Sequence, residues 1–76
     1  MKYNEFIENL AELLEIDDEL TRESPLKGRE EFDSLAIMVL VAFIDQNFGK
    51  TVPGIELSQV EKVSDLIKLI GEGLID

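Results

Sequence analysis

The chain has no cysteine and no histidine among its 76 residues. Without cysteine there can be no disulfide framework, no thiolate nucleophile and no thiolate metal site. Without histidine the side chain best suited to proton transfer near neutral pH, and the commonest metal ligand, is also missing. An enzyme built here would have to work with carboxylates, lysine or tyrosine. Seventy-six residues form one small domain, 1–76, in which a closed active-site cleft is hard to build. Catalytic residues and a metal are therefore not expected, and the balance moves toward a binding or carrier module.

Positive charge is scarce. Seven Lys and Arg stand against 17 Asp and Glu, a net charge of −10. Such a surface repels nucleic acid and anionic lipid and attracts basic protein surfaces. It also serves solubility. The longest apolar run is too short to span a bilayer. The opening residues, MKYNEFIENL, carry acids where a secretion signal needs an apolar core. A cytoplasmic monomer that does not insert in membranes is the expectation.

What is present reads as helix. The chain is 45% hydrophobic and 32% charged, the balance of a folded globule. Tyr3, Phe6, Ile7, Leu10, Leu13 and Leu14 recur at i, i+3, i+4 and i+7, with Glu5, Glu8, Glu12 and Glu15 on the other face. That spacing predicts an amphipathic helix over residues 3–15. Residues 16–33 lose the period. Ser24-Pro25 and Gly28 are turn signals, and Leu20 and Leu26 are isolated apolar anchors, so a long loop with at most one helical turn is expected. A calcium loop starting at Asp17 would need Gly at its sixth place and Glu at its twelfth; Arg22 and Gly28 stand there, which excludes it.

A second helix is predicted over residues 34–48, stopping at Gly49. Pro53-Gly54 then introduces a possible short helix. Ser58 and Glu61 are read either as a capping box or as two surface residues. A last helix is expected to start with Ser64 as N-cap and Asp65 in its first turn, to bury Leu66, Ile67 and Ile70, and to end at Gly71 and Gly73. No stretch alternates as a strand does. The fold class is all-α: a small four-helix bundle with three main helices, a short third one, and a long loop between the first two.

The stretch REEFDSLAIMVLVAFIDQNF carries ten consecutive apolar residues, 35–44. On a helical wheel Ile37, Leu40, Val41, Phe43, Ile44 and Phe48 gather on one arc, the expected core face. Leu35, Met38, Val39 and Ala42 gather on another, shared with Gln46. An apolar stripe turned to water marks a partner surface, unless the long loop folds over it. Asp33 is a preferred N-cap, which places Ser34 in the first turn among unsatisfied N–H groups. A phosphate on the Ser34 hydroxyl would sit where anions bind well, although a serine there also serves as an ordinary helix start.

Asp33-Ser34-Leu35 opens an apolar helix after one amphipathic helix and a long acidic loop, and precedes Phe48-Gly49…Pro53 and Val63-x-x-Leu66-Ile67. In a small acidic chain this arrangement resembles the acyl carrier protein family, over nearly the whole length. The resemblance implies a phosphopantetheine arm on Ser34, installed from coenzyme A by a phosphopantetheinyl transferase using magnesium. It implies thioester cargo passed between an acyl-loading ligase or acyltransferase and ketosynthase-type enzymes, in fatty-acid, polyketide or related lipid biosynthesis. It assigns transferase recognition to Asp33 and partner docking to Leu35; the outward arc of the wheel adds Met38, Val39 and Ala42 to the expected partner surface. The working thiol would then come from the cofactor, in a protein that has no thiol of its own. The chain also departs from the pattern. Glu31 stands where fatty-acid carriers commonly have Gly, and Ala36 and Val39 stand where many place acids. That suggests either more apolar docking or a loop repacked against Val39. Phe43 stands where carriers that bury acyl chains often have a smaller residue, which points to short, aminoacyl-like or externally held cargo. A D-alanyl or aminoacyl carrier, and an acidic adaptor using the 35–42 stripe with Ser34 merely starting a helix, are the alternatives.

Overall fold

A computed structural model describes all residues 1–76. Helix α1 spans Tyr3–Leu14, α2 Ser34–Phe48, α3 Gly54–Leu57 and α4 Val63–Ile70, followed by a 3₁₀ turn, Glu72–Leu74. No strand forms; a lone bridge joins Pro25 to Lys62. The all-α expectation holds.

Seventeen side chains are buried and all are apolar. In α1 they are Phe6, Leu10 and Leu14, four residues apart on one stripe, flanked by half-buried Tyr3, Ile7 and Ala11. Leu13, expected on that stripe, lies instead on the wall of a surface cleft. The helix stops because Glu15 turns left-handed at φ 56° and ψ 43°, directing its N–H back into the last turn. In α2, Leu40 and Ile44 are fully buried, and Ile37, Val41, Phe43 and Phe48 pack against the core from partly covered positions. Ala36 is buried as well, a position the wheel did not assign to the core. Gly49 ends α2 at φ 65°, as expected, and its N–H reaches the Asp45 carbonyl.

The rings of Phe6, Phe43 and Phe48 form a triangle with centroids 6.2–6.5 Å apart. This joins the start of α1 to the end of α2, while Leu13 and Leu14 share a cleft with Leu35 and Val39. The two helices are therefore antiparallel. Helix α3 is a single turn lying close on α2: a Cβ built on Gly54 would stand 3.3 Å from Ile37 Cγ2.

Loop 15–33 contains turns and no helix. Ile16, Leu20 and Leu26 are buried anchors, two of them foreseen. Backbone hydrogen bonds pin the loop to the start of α4. Leu26 N–H donates to the Glu61 carbonyl at 2.8 Å, Val63 N–H to Ser24 O at 3.0 Å and Ser64 N–H to Arg22 O at 2.9 Å. The last two satisfy donors that open a helix without partners. Within the loop, Arg29 donates to the Pro25 carbonyl at 2.7 Å and to the Asp18 carboxylate at 2.8 Å. The guanidinium hydrogen bond holds the Asp18 carboxyl below its ordinary value. Its stabilising contribution is therefore present above that ordinary value and is lost as pH falls through the lowered one. The pair is open to solvent, so salt screens it.

One expected cap is corrected, and Ser58 and Glu61, left open as a capping box or two surface residues, prove to be surface residues. Ser64 is not the N-cap of α4; the cap is Lys62, two residues earlier, and the helix begins at Val63. Asp65, an anionic acceptor one turn in, takes the N–H groups of both Glu61 and Lys62 at 3.2 Å, and Ser64's own N–H is used by the loop. Ser58 does not form a capping box with Glu61. It closes the end of α3, donating its hydroxyl to the Ile55 carbonyl at 2.7 Å. Beyond Gly71 the chain buries Ile75 and runs back past its own beginning: Tyr3 N–H donates to Asp76 O at 2.9 Å, and Asp76 N–H to Met1 O at 3.0 Å.

Candidate functional site

The start of α2 is built by Asp33. Its backbone is extended (φ −107°, ψ −172°), its carboxylate Oδ1 accepts the Ala36 N–H at 2.9 Å, and its carbonyl accepts the Ile37 N–H at 3.0 Å. Asp33 is thus the N-cap that the sequence suggests. Asp33→Ala should cost about 1 kcal/mol, and Asp33→Asn only a few tenths, since an amide oxygen can take the same N–H. The midpoint of urea unfolding measures both.

With Asp33 as the cap, Ser34 is left as the first helical residue, exposed to solvent. The N–H groups of Ser34 and Leu35 have no backbone acceptor, as at any helix start, and the helix dipole adds partial positive charge there. A phosphate ester on this hydroxyl finds two donors beside it and no side chain in need of displacement. The other serines differ. Ser24 accepts the Thr21 N–H at 2.8 Å, Ser58 is bonded to Ile55, and Ser64 is half-buried in α4.

The 35–42 stripe divides. Leu35 and Met38 are each 68% exposed and Ala42 is exposed, so that part of the arc faces water as expected. Val39 is half-buried and lines the cleft. The loop does not cover the stripe. The sequence reading missed Ile55, which at 72% exposure is the most open large apolar side chain. It sits on α3 beside the Gly54 contact with α2, and a lone isoleucine in a one-turn helix offers no periodicity by which to find it.

Beside Ser34 lies a cleft of about 320 Å³ between the end of α1 and the start of α2. Its apolar surface comes from Leu13, Leu14, Leu35, Ala36 and Val39, its carboxylates from Glu15, Glu31 and Asp33. A second, more open hollow of about 440 Å³ is lined by Asn9 and Glu12 of α1 and Phe43 of α2, and shares Leu13 and Glu15 with the first. Glu31, from the loop's last turn, and Val39, from α2, both line this cleft.

The start of α2 thus presents a solvent-exposed serine on a capped helix of a small acidic bundle. The chain belongs to the phosphopantetheine attachment site family, whose model matches residues 4–70. It is an acyl-carrier-type domain, and phosphopantetheine is its covalent cofactor. Such domains are not themselves catalytic; they work with phosphopantetheinyl transferases and acyl-handling enzymes. No curated protein and no solved structure matches the chain. No helix is long and apolar enough to cross a membrane.

Proposed function

We propose that Ser34 is the attachment residue and that the chain tethers acyl groups as thioesters, delivering them to enzymes of fatty-acid, polyketide or related lipid biosynthesis. The observation that carries this is the position of Ser34: the exposed first residue of α2, inside the matched segment, with Asp33 already supplying the cap. Attachment joins the Ser34 oxygen to the phosphate of phosphopantetheine, with loss of the hydroxyl proton and release of adenosine bisphosphate from coenzyme A. Once bound, the group supplies a terminal thiol that holds cargo as a thioester. The N–H groups of Ser34 and Leu35, which have no backbone acceptor, would hold the ester's phosphate at the start of α2. Asp33 fixes that start for the transferase. Leu35, Met38 and Ala42, with part of Val39, offer the apolar contact for successive enzymes, and Ile55 extends it onto α3. The net charge of −10 steers encounters with basic surfaces, so binding is fast, brief and salt-sensitive. The acid-lined cleft favours a second reading of cargo, an aminoacyl group.

Incubation with coenzyme A, magnesium and a broad-specificity phosphopantetheinyl transferase should add the mass of one phosphopantetheine. Tryptic cleavage after Arg29 and Lys50 releases residues 30–50, in which Ser34 is the sole hydroxyl-bearing side chain. The added mass is expected on that peptide. No gain with several transferases, or a gain on another peptide, would refute the assignment.

A further inference from the structure

The outward stripe of α2 carries the one exposed sulfur of the protein. The chain has two methionines and no cysteine, histidine or tryptophan. Met1 is half-buried and packs against the core, with its amine donating to the Leu74 carbonyl at 3.0 Å. Met38 stands out from the core and is 68% exposed. It follows Ser34 by four residues, roughly 6 Å along the helix and on nearly the same side. Leu35 and Ala42, the other exposed residues of the stripe, are hydrocarbons with no atom that a mild oxidant attacks. One position on this surface can therefore change its chemistry, and it lies one turn from the attachment residue.

The change is a two-electron oxidation. A hydroperoxide passes its terminal oxygen to the sulfur: the O–O bond breaks, an S=O bond forms, the proton moves to the departing oxygen, and water or an alcohol leaves. The apolar thioether becomes a polar, chiral sulfoxide, a lesion that reductases reverse. The free domain is indifferent to it, because water solvates the new oxygen at so open a place. A complex is not. Against a partner the oxygen loses that water, and a buried acceptor without a donor is costly. The apolar burial of the side chain is lost as well. Resting on the reading that Ser34 bears the arm and that this stripe meets the enzymes, we infer that Met38 is a reversible oxidation site, at which a peroxide weakens docking on α2 while the fold stays intact.

The test uses the whole chain before the arm is attached, treated with equimolar hydrogen peroxide and then with catalase. Intact mass counts the oxygens gained, and the 30–50 peptide, whose only sulfur is Met38, locates them. Met38 should be oxidised before Met1. A phosphopantetheinyl transferase then serves as the partner, since it needs no cargo. Its KM for the oxidised protein should rise about tenfold at unchanged kcat, the scale of losing one apolar anchor from an interface. The midpoint of urea unfolding should stay where it was. Methionine sulfoxide reductases, one for each epimer, should return both the mass and the KM. In Met38→Leu, which has no sulfur at that place, peroxide should leave the KM as it stood before treatment. Oxygen that goes first to Met1, equal KM values for oxidised and reduced protein, or the same rise in Met38→Leu would each overturn the inference. So would a fall in the urea midpoint on oxidation, since the effect would then arise in the fold. Failure of the tether reading looks different: the reduced protein itself gains no phosphopantetheine, and the Met38 switch goes with it.

Discussion

Ser34→Ala should abolish phosphopantetheine incorporation outright, with no added mass under conditions that fully convert the unsubstituted protein, while urea unfolding stays within about 0.5 kcal/mol of it. The two halves of this expectation have separate causes. Loss of incorporation follows because alanine has no oxygen to bond to phosphorus, and no neighbour can stand in: residues 30–50 hold no other hydroxyl. Preservation of the fold follows because Asp33, not Ser34, caps α2, through the 2.9 Å bond to Ala36 N–H. Ser34 is exposed, and alanine is at least as good a helix former. A variant that still gains the mass places the attachment elsewhere. A variant that unfolds shows that the serine has a structural task which the cap geometry does not give it.

The largest stability effect is expected from Phe6→Ala. Phe6 has no exposure, and its ring meets Phe43 at 6.3 Å and Phe48 at 6.5 Å. Removing it takes away the ring that joins α1 to α2 and leaves a void the two remaining rings cannot close. Truncations of this kind cost about 3–5 kcal/mol. A core in a domain this small rarely supplies more than about 3–5 kcal/mol in total. Most of the variant should therefore be unfolded at 37 °C by circular dichroism. Met38→Ala, at a position 68% exposed, provides the contrast and should change stability by no more than about 0.5 kcal/mol. Should Phe6→Ala melt like the parent, the packing described between α1 and α2 is wrong.

The parts of this architecture that local chemistry decides were legible in the sequence. The 3.6-residue period placed α1, the Asp33 carboxylate marked the beginning of α2, and Gly49 marked its end, because each depends on residues within one turn of itself. The apolar stripe was legible too, since no polar residue interrupts 35–44. What was misread depends on distant partners. Ser64 looked like a cap, but its N–H is claimed by the Arg22 carbonyl, 42 positions away in the chain, and Asp65 reaches back to do the capping. Ala36 fell on neither arc of the wheel, and it is buried where the end of α1 lies beside it. The cleft could not be read at all, because its walls come from Leu13–Glu15 residues and from residues 31–39, brought together only by the antiparallel packing of two helices.

The loop that precedes Ser34 supplies carbonyls to the opening turn of α4, through Ser24 and Arg22. Peeling it away would strand those donors, so loop and last helix gain or lose order as one unit. Urea or heat should therefore release the loop before Ser34 and the last helix in a single step.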